Sequence, residues 1–121
     1  MARFRLFLAL LLGFAGVAAQ ASAGEMTWNV QSKSPYVVHL QFYSDDRDNV
    51  WPDPDRVYTL DDSKVHNYSL SCHSGEKICY GAWVKGDEDS YWGSGYDGEQ
   101  ACDDCCFRCD GGSTPIMVLN R

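Results

Sequence analysis

Tyr36-Val-Val-His-Leu-Gln-Phe-Tyr43 decides how this chain is read. Tyr36, Val38, Leu40 and Phe42 fall on one side of an extended backbone, and His39 and Gln41 on the other. A period of two carried by β-branched and aromatic residues predicts a half-buried strand. Upstream, Ser32-Lys-Ser-Pro35 predicts a turn, and Met26–Gln31 alternates in the same way. Downstream, Val57–Leu60, Val65–Ser71, Ile78–Val84, a brief Ser90–Trp92 and Thr114–Leu119 read as further strands. In Val65–Ser71 the apolar side is His66, Tyr68 and Leu70. Asp61-Asp62-Ser63, Ser74-Gly75 and Gly111-Gly112 punctuate them as turns. No helical period appears after residue 23. The expected fold is all-β: a small disulfide-stapled sandwich or barrel of about six to seven short strands.

The first residues form a different kind of segment. Arg3 and Arg5 precede an apolar run from Leu6 to Ala19, and Ala21-Ser22-Ala23 follows. A basic start, an apolar run and small residues spaced A-x-A are what an export peptidase reads. Residues 1–23 are expected to be a cleaved secretory signal, with a second A-x-A site ending at Ala21. The run is shorter than the ~20 apolar residues a spanning helix needs. No cysteine precedes Cys72, which argues against a lipid-modified N-terminus, and Ile116–Arg121 is too short for an anchor tail. The expected product is a single cysteine-rich β domain, residues 24–121, secreted or periplasmic, with no stable membrane anchor after cleavage.

The leader carries two of the ten Lys and Arg residues and none of the seventeen Asp and Glu residues. Eight bases against seventeen acids leave the domain at a formal charge of −9, compared with −7 for the whole chain. Such a surface repels phosphate backbones, so nucleic acid is not an expected partner. A glycan or a basic protein fits the charge better.

The cysteines follow the pattern C-x6-C-x22-C-x2-C-C-x2-C at Cys72, Cys79, Cys102, Cys105, Cys106 and Cys109. An even count in a short exported chain reads as a disulfide framework. Overlapping Cys-x-x-Cys pairs also fit zinc, but the adjacency of Cys105 and Cys106 speaks against both converging on one tetrahedral ion. A redox-active pair would need a cationic setting, whereas Asp103 and Asp104 are acidic. Disulfides are therefore expected. Cys72 either pairs with Cys79 across the Ser74-Gly75 turn, or both reach into the cluster. The crossing arrangement closes longer loops and constrains the unfolded chain more.

Two acidic loops invite calcium as a cofactor. One holds Asp45, Asp46, Asp48, Asn49, Asp53 and Asp55, the other Asp87, Glu88, Asp89, Asp97 and Glu99. Neither matches the helix–loop–helix calcium pattern, and solvated loops that shield strand edges are the favoured reading. No other cofactor is implied. Asp87, Asp89, Tyr91, Trp92, Tyr96 and Asp97 combine flat aromatics with carboxylates and form the candidate binding surface, suited to a sugar ring. A carbohydrate-active hydrolase would need two paired carboxylates, and nothing in the sequence selects a pair. His39, His66 and His73 are scattered and lack a nucleophile motif. Asn67-Tyr68-Ser69 is a glycosylation sequon.

Leu70–Trp83, together with Tyr91-Trp-Gly93 and the Cys102–Cys109 cluster, resembles a group of small exported bacterial proteins that carry no assigned activity. That resemblance implies a β domain outside the cytoplasm and brings no catalytic residues. Thr27-Trp-Asn-Val with Ser34-Pro-Tyr-Val is similar to the first hairpin of thaumatin-like proteins, whose larger cysteine framework is absent here. The function expected is a non-catalytic exported binding or interaction module.

Overall fold

Alternation along the chain produces two sheets that share one core. A computed structural model describes residues 24–120; the expected leader, residues 1–23, and Arg121 lie outside the described residues. Nine strands occur in chain order: β1 Glu25–Ser32, β2 Val38–Ser44, β3 Val50–Trp51, β4 Tyr58–Leu60, β5 Val65–Ser71, β6 Lys77–Val84, β7 Asp87–Gly93, β8 Cys106–Arg108 and β9 Ser113–Leu119. The smaller sheet has the order β5-β1-β9, with β1 antiparallel to β5 and parallel to β9. The larger sheet is built on the long antiparallel pair β2 and β6. Its outer positions are divided: β3 and β4 share the far side of β2, and β7 and β8 share the far side of β6.

The fold is therefore a sandwich. Met26, Trp28 and Val30 from β1 meet Val38, Leu40 and Phe42 from β2, closed by Leu60, Leu70, Ile78 and Leu119. Trp28 is fully buried, with Phe42 at 4.8 Å and Phe107 edge-on at 5.3 Å between ring centroids. Such tilted and edge-to-face contacts match the charge distribution of aromatic rings.

Several expectations shift by a few residues, for local reasons. Tyr36 does not join Val38, Leu40 and Phe42: it sits in a bend before β2 and is 63% exposed. β1 and β2 lie in different sheets and do not form a hairpin with each other. The acidic stretch 44–56 contains β3 and a buried Trp51, whose Nε1 donates to the Ser71 carbonyl at 2.9 Å. β7 extends well beyond the brief strand expected at Ser90–Trp92, and the cysteine cluster contains β8. Two- and three-residue strands are too short to display a period, so only pairing reveals them.

Three disulfides join Cys72 to Cys109, Cys79 to Cys106 and Cys102 to Cys105. The first two reach from the Ser74-Gly75 region into the cluster, as the crossing arrangement requires. Cys79 and Cys106 are direct partners in the β6–β8 ladder.

Gly81 lets the 94–100 loop lie flat on the outer side of the larger sheet. A Cβ there would overlap the Gly95 carbonyl and come within 2.9 Å of the Tyr43 ring. Ser94 fastens the loop through its N–H and hydroxyl, both donated to the Tyr80 carbonyl at 2.9 and 3.0 Å. Gly81→Ala is expected to cost about 1–3 kcal/mol of stability, because the obstacle is backbone that cannot step aside. A urea melt that superimposes on the wild-type curve would refute that contact.

Candidate functional site

β7 carries four of the six residues of the expected binding surface, Asp87, Asp89, Tyr91 and Trp92, and the 3-10 turn that follows carries Tyr96 and Asp97. Successive residues of a strand point oppositely. Trp92 pairs with Ala82 and packs against the common core, whereas Tyr91 pairs with Trp83 on the outer side. The outer side holds an aromatic group of its own: Tyr96 meets the buried Trp83 edge-on at 5.1 Å, and His39 lies 6.0 Å from the same indole. Burial and the Lys85 charge both push the His39 pKa down. The charges of Asp97 and Glu88 push the Tyr96 phenol up. Asp97 stands at a positive φ of 56° in a short 3-10 turn, and Asp89 is exposed.

Trp92 and Asp87 belong instead to a groove at the end of the sandwich. Ser34, Tyr36, Val84, Asp87, Ser90 and Trp92 line a space of about 510 Å³. A register irregularity between Trp83 and Val84 lets Asp87 pair with Val84 while Tyr91 pairs with Trp83. Asp87, Ser90 and Trp92 therefore meet around one opening. The Trp92 indole N–H donates to the Asn120 carbonyl at 2.6 Å, which fixes the ring as one wall. Asp87 accepts from the Ser90 hydroxyl at 2.9 Å and from the Asp89 N–H at 3.2 Å.

Ser34 and Tyr36 supply the other side of the groove. Tyr36 is held only by backbone: its N–H donates to the Ser34 hydroxyl at 3.1 Å, and Ser34 N–H donates to Ser32 Oγ at 3.2 Å. Sequence reasoning placed Tyr36 on the inner side of β2 and so missed it. The signal was Pro35, which marks the turn that turns Tyr36 outward.

Three carboxylates of the first acidic loop, and Asp87 of the second, are engaged with neighbours. Asp45 faces Lys77 at 3.4 Å, Asp46 accepts the Lys77 N–H at 2.9 Å, and Asp53 accepts Arg56 Nε at 2.7 Å. The acidic side chains form no converging group of three among the described residues; the grouping that does converge is sulfur, at Cys79, Cys105 and Cys106.

Among the described residues, Glu76 is the one buried acid with a marked shift. Its side chain is 1% exposed and accepts Arg47 Nε at 2.6 Å, Arg47 Nη2 at 3.1 Å and the His73 N–H at 2.9 Å. Burial alone would raise its pKa. Hydrogen bonds from Arg47, Ser44 and His73 outweigh burial and hold it at about 2. Every strong donor around this carboxylate is spent on it, and it ties the loop at Arg47 to the turn at His73–Glu76. That is a structural charge.

No family model, curated protein or solved structure matches this chain.

Proposed function

We propose that the chain is an exported, non-catalytic binding module that takes a carbohydrate in the groove between Tyr36 and Trp92. The observation that carries this reading is the lining itself. Two aromatic side chains, two serine hydroxyls and one carboxylate surround a space large enough for a small sugar. Aromatic faces cover the apolar side of a pyranose at little entropic cost, and Asp87, Ser34 and Ser90 can exchange hydrogen bonds with its hydroxyls. The three disulfides accord with an oxidising compartment, and no helix among the described residues is long and apolar enough to cross a membrane. The groove has one carboxylate in its lining, Asp87, where glycoside hydrolysis calls for two. Binding without turnover is the simpler use of these groups.

Isothermal titration against a panel of neutral oligosaccharides tests the proposal. Saturable binding at millimolar or tighter affinity is expected. Tyr36→Ala should weaken it at least about tenfold, the equivalent of ~1.4 kcal/mol. Tyr36 is 63% exposed, so its melting temperature should stay within about 2 °C of wild type. Failure of the whole panel to bind would end the carbohydrate reading.

A further inference from the structure

The sulfur atoms outside the Cys72–Cys109 bridge converge. Cys105 Sγ lies 3.9 Å from Cys106 Sγ, and Cys79, Cys105 and Cys106 place their sulfurs within 4.8 Å of one another. Cys102 is bonded to Cys105 and so joins the same group. All four border one hollow of about 200 Å³, together with Lys77, Asp45, Ser94 and Gln100. Adjacency of Cys105 and Cys106 was the sequence argument against a shared ion, and the observed separation removes it. Thiolates around a tetrahedral zinc at about 2.3 Å stand roughly 3.8 Å apart.

We propose that, when the Cys79–Cys106 and Cys102–Cys105 disulfides are reduced, the four cysteines bind one thiophilic divalent cation of the zinc type. Reduction of two S–S bonds takes four electrons and four protons: two equivalents of an external phosphine supply the electrons and become phosphine oxide, and two waters supply the protons and the oxygen. Binding of the cation then releases the four thiol protons. All-sulfur donors select soft or borderline ions over calcium and magnesium. Lys77 and Asp45 both border the hollow and face each other at 3.4 Å, so the pair adds no net charge to the centre.

The frame that aligns the sulfurs does not depend on the two bonds being broken. Lys77, Ile78 and Cys79 pair with Arg108, Phe107 and Cys106 through the β6–β8 ladder. Tyr80 N–H donates to the Cys105 carbonyl at 3.0 Å, and Phe107 packs on Trp28. Cys72 and Cys109 are both buried, whereas each of the other two bridges has a partly exposed end, Cys102 in one and Cys79 and Cys106 in the other, so a reductant reaches those two first.

The test reduces the full-length protein with a phosphine under native conditions, removes the reductant without air, and titrates Cd(II). The expected result is four alkylatable thiols and one equivalent of bound ion with a thiolate-to-metal absorption band. Zn(II) should then protect Cys79, Cys102, Cys105 and Cys106 from iodoacetamide in peptide mapping of the wild-type chain. Cys105→Ser with Cys106→Ser should weaken binding at least about a hundredfold, and the protection map decides the matter if that variant does not fold. Binding no tighter than to the urea-unfolded reduced chain, a stoichiometry other than one, or protection that includes Cys72 and Cys109 would each overturn the proposal.

Discussion

Replacing Cys72 and Cys109 together by alanine is expected to lower the melting temperature by about 15–30 °C. The bridge spans 37 residues of sequence, and closing a loop of that size removes about 4 kcal/mol of unfolded-chain entropy in the loop-closure description. For a domain of this size each kcal/mol corresponds to roughly 4–8 °C. Both ends are also buried, Cys109 completely, so truncation leaves unfilled space beside the core. The comparison that isolates loop length is Cys102→Ala with Cys105→Ala. That bridge spans 3 residues, its Cys102 end is half-buried, and the same description gives it under about 2 kcal/mol. Thermal melts of the two double variants should separate clearly. Coincident curves would mean that loop length is not what makes the long bridge stabilising.

Glu76→Gln is expected to cost about 2–3 kcal/mol at neutral pH and to flatten the acid limb of the stability curve. The carboxylate is held at about 2 in the folded protein against an ordinary value of 4.5. A depressed carboxylate stabilises the fold above its unfolded pKa, and that contribution is lost as pH falls from about 4.5 towards 2. The full shift would correspond to about 3 kcal/mol; solvent reaching Arg47, which is 35% exposed, reduces it somewhat. Glutamine keeps the shape and one acceptor but not the charge. Denaturant unfolding from pH 7 to pH 2 should show the wild type and the variant far apart at neutrality and converging in acid. Parallel curves over that range would show that Glu76 is not the group whose protonation weakens the fold.

Much of the sandwich was legible because its long strands bury one side and wet the other. β1, β2 and β5 each carry a period of two that indicates which residues face the core, whereas β6 and β9 were legible only as apolar runs between turns. Gln41 shows where that logic stops: it lies on the outer side of β2 yet is buried, because the 53–56 turn covers it and its amide donates to the Asp53 and Arg56 carbonyls. Trp51 and Glu76 were illegible for a related reason. Each is an isolated residue in a polar stretch, and its burial is created by distant partners, Ser71 for one and Arg47 for the other.

The proposed groove was legible only in part. Composition found Asp87 and Trp92, but strand alternation sends their neighbour Tyr91 to the opposite side. The far side of the groove comes from a turn more than fifty residues earlier in the chain. No local pattern announces a meeting of that kind.

The parallel pairing of β1 with β9 also sets a timetable. β1 is the first of the described strands to appear as the chain is made, yet its two neighbours arrive late. Thr27 meets Ser69 across 42 residues, and Asn29 meets Thr114 across 85. Before β5 arrives β1 has two open backbone edges, and until β9 arrives it keeps one. Such long-range closure makes folding slow and leaves the early strand adhesive while it waits. A chain arranged in this way cannot complete its smaller sheet from its front end, so β1 stays open until nearly all of the chain has been made.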